Sequence, residues 1–328
     1  MPENDVRAAL AALDVFEGVE DAVLDRLATL ARPFTLAPGD FLFHEGDPGD
    51  RISLLASGAL ELIMRLPGGR ELEVLPVAPG ELIGEMAVLA ERPRRFSARA
   101  TEPSTGWSFV SAEVGRLGVT DQPEVMRRFG LIALTRLREQ YARLDRICAA
   151  DPRSGEHARE AHREPAGEVR PVEREPDETS YLETVLFFSR FSAAEVEELF
   201  GDLRRLEAPR GSTVLTEGGP APALLIVMRG AVETSIRRGG VVTRARLAGP
   251  GRFVGHLGLL EGTHPATSRA RERSILLELP IDRAREITDR GDDLGLRFGF
   301  GIYADIVDAV LEAQRPISRM AALAPSAS

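Results

Sequence analysis

Glu85 and Arg94 stand nine positions apart in the run Ile83-Gly84-Glu85-Met86-Ala87-Val88-Leu89-Ala90-Glu91-Arg92-Pro93-Arg94-Arg95-Phe96-Ser97. A Gly-Glu pair that opens a short apolar turn leaves backbone N–H groups able to face an anion. An arginine supplies a forked, permanently charged donor suited to phosphate. A carboxylate accepts a hydrogen bond from a sugar hydroxyl. The set therefore describes a receptor for a sugar phosphate. The competing reading of the same pair is an internal salt bridge in a domain that binds nothing.

A second run carries neither group: Val254-Gly255-His256-Leu257-Gly258-Leu259-Leu260-Glu261-Gly262-Thr263-His264-Pro265-Ala266-Thr267-Ser268-Arg269-Ala270. His256 stands where the glutamate would be. The arginine position falls on His264, Pro265 or Ala266, according to where a one-residue gap is placed. None is a bidentate fork, although a protonated His264 offers one donor. Arg269 aligns with Arg99, not with Arg94. This copy reads as degenerate, kept for stability, dimer contacts or partner binding. His256 and His264 have no third ligand at useful spacing, so they read as polar residues of a surface turn and no metal site is expected. His44-Glu45 runs into Gly46-Asp47-Pro48, which breaks the helix that a zinc-protease motif needs. There is no Ser/His/Asp set and no glycine-rich strand-to-helix phosphate loop. The absence of lysine removes Schiff-base chemistry. The chain is expected not to be an enzyme and to carry no cofactor.

The elements that must position these residues recur at a shift of about 172 positions. Leu13-Asp14-Val15-Phe16 with Val23, Leu24, Leu27 and Leu30 is matched by Val185-Leu186-Phe187-Phe188 with Val196, Leu199, Phe200 and Leu203. Ala37-Pro38-Gly39 answers to Ala208-Pro209-Arg210-Gly211, and Ser57-Gly58-Ala59 to Arg229-Gly230-Ala231. The turn Pro67-Gly68-Gly69 answers to Arg238-Gly239-Gly240, and Pro79-Gly80-Glu81-Leu82 to Pro250-Gly251-Arg252-Phe253. Arg128-Phe129-Gly130 and Arg297-Phe298-Gly299 each fall in a late helix. Every copy is a short helix, a series of short strands with Gly/Pro turns, and a longer helix, which points to a barrel or jelly roll. The predicted fold is mainly β with flanking helices: two tandem jelly-roll domains, at 1–148 and 181–315, each followed by a C-terminal helix. Residues 149–180 are rich in Glu, Arg, Pro and Gly and read as a flexible charged linker. Residues 316–328 read as a disordered tail.

The cassette around Gly84, Glu85, Met86, Ala87, Val88, Leu89, Pro93 and Arg94, with the Pro-Gly, Glu-Gly and Ser-Gly landmarks upstream, resembles the phosphate-binding cassette of the cyclic-nucleotide-binding domain family. That family includes the catabolite-activator type and the regulatory subunit of cyclic-AMP-dependent protein kinase. The resemblance covers nearly all of residues 10–148. It implies that Glu85 holds the ribose 2′-hydroxyl, that Arg94 holds the cyclic phosphate, and that the amides around Met86 and Ala87 add donors. The family places two small residues after the arginine; here they are Arg95 and Phe96. Their bulk narrows the pocket or shifts the ligand, or else Arg95 adds charge for a different nucleotide. The resemblance also brings Gln140 and Tyr141 of the C-terminal helix to the base, with Tyr141 as a helix-packing residue being the plainer reading. A Thr or Ser closely following the arginine, the cGMP-favouring feature, is absent at Arg95, so cAMP is favoured. The expected role is a regulatory protein that binds a cyclic nucleotide in its first domain and signals through contacts with a protein partner. The alternative is a ligand-free scaffold.

Leu134, Leu137, Tyr141, Leu144 and Cys148 have the spacing of a short coiled-coil seam, so a homodimer through the helix 123–148 is expected. Residues 149–180 show no helix-turn-helix pattern, and the segment after Gln314 is too short for one. A net charge of −10 is a poor match to a phosphate backbone, so direct DNA binding is not expected. No arginine-pair inhibitor segment precedes the first domain. Cys148 is the single cysteine. No apolar stretch approaches the length of a bilayer span, and the acidic start Met1-Pro2-Glu3-Asn4-Asp5 lacks a signal-peptide pattern. No membrane association is expected, and the compartment expected is the cytoplasm.

Overall fold

A computed structural model describes residues 3–65, 69, 71–89, 92–115, 123–150, 167–175, 178–185, 187–238 and 241–323. The chain forms two compact units, Met1–Phe129 and Gly130–Ser328.

The first unit opens with α1 (Glu3–Ala11) and α2 (Asp21–Thr29), whose apolar positions Val23, Leu24 and Leu27 are buried at helical spacing. The strands are β1 (Arg32–Leu36), β2 (Phe41–Phe43), β3 (Arg51–Ser57), β4 (Leu60–Arg65), β5 (Glu71–Val77) and β6 (Leu82–Ile83). The short helix α3 (Glu85–Leu89) follows, then β7 (Ser97–Ala100), β8 (Ser104–Val110) and α4 (Ser111–Gly115). They form two four-stranded antiparallel sheets, in the orders β1-β8-β3-β6 and β2-β7-β4-β5. Leu55, Leu60, Val77, Ile83, Ala98 and Ala100 fill the space between them. β6 pairs with β3 through Ser53↔Ile83, which holds the start of the cassette beside Arg51.

Helix α5 (Pro123–Ala150) crosses the division between the units. In the first unit its Val125 and Phe129 are buried, and Arg128 bonds the Asp14 carbonyl and pairs with Glu17 at 3.1 Å. From Gly130 onward it belongs to the second unit.

That unit continues with β9 (Arg170–Val172), α6 (Glu178–Glu183), α7 (Ala193–Phe200), β10 (Arg204–Ala208), β11 (Thr213–Leu215), β12 (Ala223–Arg229), β13 (Val232–Arg238), β14 (Val241–Ala248) and β15 (Phe253–Val254). After the short helix α8 (Gly258–Glu261) come β16 (Thr267–Ala270), β17 (Ser274–Pro280), α9 (Ile281–Thr288) and α10 (Asp293–Leu323). The sheets run β15-β12-β17-β10-β9 and β11-β16-β13-β14. The result is mainly β, two tandem barrels with C-terminal helices, as expected.

Two boundaries and one packing expectation differ. The charged linker is not free throughout. Residues 170–172 add an antiparallel edge strand to β10, and Arg170 pairs with the buried Glu207 at 2.7 Å. Glu178 is buried against Arg205, also at 2.7 Å. Charges that read as solvated are thus cross-strand and cross-element partners. Residues 151–166 and 176–177 of that segment lie outside the described residues. The expected tail is helical as far as Leu323, passing through Pro316, with Ile317 buried; residues 324–328 lie outside the described set. Lastly, Leu134, Leu137, Tyr141, Leu144 and Cys148 are all buried within one chain. In the second unit, Cys148 lies 3.1 Å from Thr243 and Asp145 2.5 Å from Arg238, both on the barrel strands. The seam expected to join two copies is already covered by the chain's own barrel. Among the described residues no helix is long and apolar enough to cross a membrane.

Candidate functional site

In the first barrel, Gly84 ends β6 at φ +84°, a backbone state that favours glycine. A side chain there would also collide with Arg94, since a Cβ would lie 2.2 Å from Nη1 and 3.0 Å from Cζ. The glycine lets the guanidinium lie against the backbone. Arg94 Nη1 donates to the Gly84 carbonyl at 2.9 Å and Nη2 to the Arg51 carbonyl at 2.5 Å. Its guanidinium carbon sits 4.4 Å from the centroid of Phe43, in cation–π contact. The backbone is fixed as well: Arg94 N–H donates to Asp47 O, and Gly46 N–H to Arg94 O, each at 2.8 Å. Arg94 is only 5% exposed and Glu85, at the first turn of α3, is fully buried. Burial pushes the Arg94 guanidinium below the usual arginine range, and the nearby Asp50, Glu85 and Asp47 carboxylates oppose that shift. Two of its five N–H donors hold carbonyls. Nε is buried with no hydrogen-bond partner among the described residues. The arrangement is a positive fork held rigidly beside a buried carboxylate, with donor capacity left for an anion.

Met86 and Ala87 are half-buried on α3, Arg95 is exposed and Phe96 is half-buried. Gln140 and Tyr141, expected at a base in the first barrel, belong to the second unit. Gln140 is buried, and its Oε1 has no partner among the described residues. Tyr141, 8% exposed, lines a cavity of the second barrel with His256, His264, Arg246, Leu215 and Ser268. From Gly130 onward α5 belongs to the second unit, where its apolar residues Leu134, Leu137, Tyr141 and Leu144 are buried. Burial pushes the Tyr141 phenol up to about 12.

The second cassette repeats the backbone of the first without its chemistry. Gly255 has φ +95°, and a Cβ there would lie 3.2 Å from the His264 ring. His256 and His264, expected in a surface turn, are 4% and 3% exposed. For His256 the cause is Asp305 of α10, which accepts from four donors. Arg246 Nη2 reaches its Oδ1 at 2.7 Å and Arg252 Nη1 at 3.0 Å. His256 Nε2 donates to Oδ2 at 2.8 Å, and the Phe253 backbone N–H donates to the same Oδ2 at 3.0 Å. Arg252 also bonds Asp308. Arg246 Nη1 lies 3.3 Å from His256 Nδ1, and arginine only donates, so Nδ1 accepts and the imidazole proton sits on Nε2. Burial holds His256 below the usual histidine range, consistent with that neutral form, and the Arg246 charge adds to the effect. Asp305 is held far below the usual carboxylate range by Arg246, His256 and Arg252, against the cost of its burial. The cavity left beside Tyr141 has a volume of about 30 Å³. That is room for a water or two, whereas small-molecule sites run to roughly 300 Å³ and more. Sequence reasoning missed Asp305, Arg246 and Arg252. The available signal was the acidic i, i+3, i+7 stripe Asp305, Asp308, Glu312 on one face of α10. Among the described residues no group of three or more His, Cys, Asp or Glu could hold a metal ion.

Each barrel carries a glycine-led cassette after a short strand, at Gly84 and at Gly255, and long helices, α5 and α10, follow the two sets of strands. The chain matches the cyclic nucleotide-binding domain family over residues 33–119 and 205–290, and it belongs to that family. It is 40% identical over 105 residues to the acetyltransferase Pat of Mycolicibacterium smegmatis, covering 32% of this chain and 31% of that protein. It is 30% identical over 129 residues to a CRP-like cAMP-activated global transcriptional regulator of Mycobacterium tuberculosis, covering 39% of this chain and 57% of the regulator. The chain thus spans less than two thirds of either relative. Among solved structures, the regulatory domain of Toxoplasma gondii PKA with cAMP aligns over 89% of this chain and 94% of its own, at 16% identity and a TM-score of 0.34.

Proposed function

We propose that this chain is a non-enzymatic regulatory protein whose first barrel binds a cyclic nucleotide, cAMP in preference to cGMP. The observation that carries the reading is the buried Arg94 fork, braced by Gly84, Arg51 and Phe43 beside the buried Glu85, with Nε uncommitted. Glu85 would accept from the ribose 2′-hydroxyl, Arg94 would donate to the cyclic phosphate, and the amides at Met86 and Ala87 would add donors. The similarity to a regulator described as cAMP-activated supports the choice of nucleotide. Output to a protein partner would run through α5, which is anchored in the first unit by Val125, Phe129 and Arg128 and continues into the second. The second barrel would bind no nucleotide, since His256 and His264 replace the carboxylate and the fork.

The scaffold alternative draws support from Arg95 and Phe96, which replace two small residues where a phosphate would approach. Competition with a fluorescent cAMP analogue separates the readings. The receptor reading expects cAMP to compete better than cGMP. It also expects 2′-deoxy-cAMP to compete at least tenfold more weakly than cAMP, and Glu85→Gln to abolish that difference. A folded protein that retains no analogue, or that treats cAMP and 2′-deoxy-cAMP alike, would contradict it.

A further inference from the structure

The two barrels treat the same sheet edge in opposite ways. The ladders put Leu36 opposite Ser104 and Ala208 opposite Ser274, so Pro33 and Thr35 of β1 correspond to Arg205 and Glu207 of β10. In the first barrel β1 pairs with β8 alone among the described residues, and Pro33 offers no N–H to a further strand. In the second, Arg205 restores that N–H, and β9 pairs there through Arg205↔Val172, Leu206↔Pro171 and Glu207↔Arg170. Pro171 falls opposite Leu206, between the two pairs that exchange hydrogen bonds, where its missing N–H costs nothing. The receiving surface is buried: Glu207 is held from one side by Arg273 of β17, and Arg205 is bound to Glu178 at 2.7 Å. A cavity of about 70 Å³ beside Val172 has Tyr181, Met228 and Ile275 in its wall. The segment lying on this surface, residues 167–175, is held mostly from outside. Val169 packs at the rim of the barrel core. Arg170 meets Glu207 at 2.7 Å, Arg174 meets Glu197 at 2.6 Å, and Glu175 meets Arg229 at 2.7 Å. The Arg170 side chain is 69% exposed, and Glu197, Glu175 and Arg229 are exposed too, so these pairs are open to water and hold the segment only weakly. A buried carboxylate on a pairing-competent strand edge is the recognition surface of strand addition, in which the ladder supplies affinity and alternate side chains supply specificity.

We propose that the β10 edge is a docking site for an extended segment of a partner protein, and that residues 167–175 are an internal competitor that covers it. The segment it takes has the pattern of Val169-Arg170-Pro171-Val172: an apolar residue for the rim of the core, an arginine for Glu207, and an apolar residue two positions on for the cavity beside Tyr181. This inference concerns the second unit alone and stands whether or not the first barrel binds a nucleotide.

The test uses the full chain and a fluorescently labelled synthetic peptide with the sequence of residues 167–175, read by anisotropy. Arg170→Glu in the chain sets a carboxylate against Glu207 and is expected to release the internal segment. The peptide is expected to bind this variant at one site per chain, at least about tenfold more tightly than it binds the wild type, whose own segment competes. The same peptide carrying Arg170→Glu is expected to bind the variant at least about tenfold more weakly. Hydrogen exchange at the Arg205 and Glu207 amides is expected to be faster in the variant and slowed again by the peptide. Should Arg170→Glu not fold, Arg170→Ala removes the ion pair without adding a charge and is expected to show the same order with a smaller difference. No binding to a folded variant, equal binding to variant and wild type, or equal binding of the two peptides would overturn the proposal. So would binding that leaves exchange at Arg205 and Glu207 unchanged.

Discussion

Replacing Gly84 by alanine tests how the first cassette is built. The position has φ +84°, where a non-glycine residue costs about 1–3 kcal/mol. The new Cβ would also lie 2.2 Å from Arg94 Nη1. That atom ends a flexible side chain, so the guanidinium can swing away instead of forcing the backbone apart. In doing so it gives up its bond to the Gly84 carbonyl, a charge-assisted contact worth about 1.5–3 kcal/mol when buried. Partial recovery by rearrangement brings the expected loss of stability in the first barrel to about 2–4 kcal/mol. Because Arg94 leaves the position aimed at the phosphate, cAMP affinity is expected to fall by about 10- to 100-fold, at roughly 1.4 kcal/mol per factor of ten. Urea unfolding followed by the fluorescence of the single tryptophan, Trp107 in β8 of this barrel, reads the first effect; calorimetric titration reads the second. A Gly84→Ala protein with unchanged unfolding midpoint and unchanged affinity would refute the reasoning.

Other expectations follow from the same geometry. Phe43→Leu removes the ring under the Arg94 guanidinium, a contact worth about 0.5–1.5 kcal/mol, and should weaken cAMP binding about 2- to 10-fold while the barrel stays folded. An affinity equal to wild type would contradict that role. Asp305→Asn leaves Arg246 and Arg252 without their shared carboxylate and should destabilise the second unit by about 3–5 kcal/mol in urea unfolding, with nucleotide binding in the first barrel preserved. A loss below about 1 kcal/mol would show that the network is dispensable. Acidification should destabilise the second unit. His256 and His264 are held neutral by burial, so the unfolded chain binds more protons below its own histidine pKa of about 6.5. Their contribution is complete above that pH and is lost as pH falls toward the folded-state values. Asp305 stays ionised through this range, and its share is lost only below about pH 3.9. Melting curves recorded at pH 7.5 and 5.5 that coincide would contradict this.

The parts of the fold and site that sequence made legible are those encoded locally. Gly84, Glu85 and Arg94 lie within one short segment, and the strand-turn rhythm around them repeats in both halves, so barrel, cassette and duplication could all be read from spacing. What could not be read depends on distant partners. The Arg51 carbonyl and the Phe43 ring that fix Arg94 come from other strands. Asp305 reaches His256 from 49 positions away, and the acidic stripe of α10 marks a face without saying which residue it meets. The heptad-like stripe of α5 announces an apolar face without saying what covers it, and a second barrel in the same chain serves as well as a second copy. In the charged segment around Arg170, side chains that look solvated one by one are paired across strands with Glu207. His256 of the second cassette was legible as the loss of a carboxylate but not as a member of a buried network, since its partner Asp305 comes from α10.

The central claim is that one nucleotide binds per chain, through Arg94. Isothermal titration of the full chain with cAMP, beside an Arg94→Ala variant shown by circular dichroism to remain folded, tests it most directly. The account predicts saturable binding at one site per chain, weakened at least 100-fold in the variant. A folded wild-type protein that gives no binding, two equivalent sites per chain, or equal affinity in the variant would contradict it.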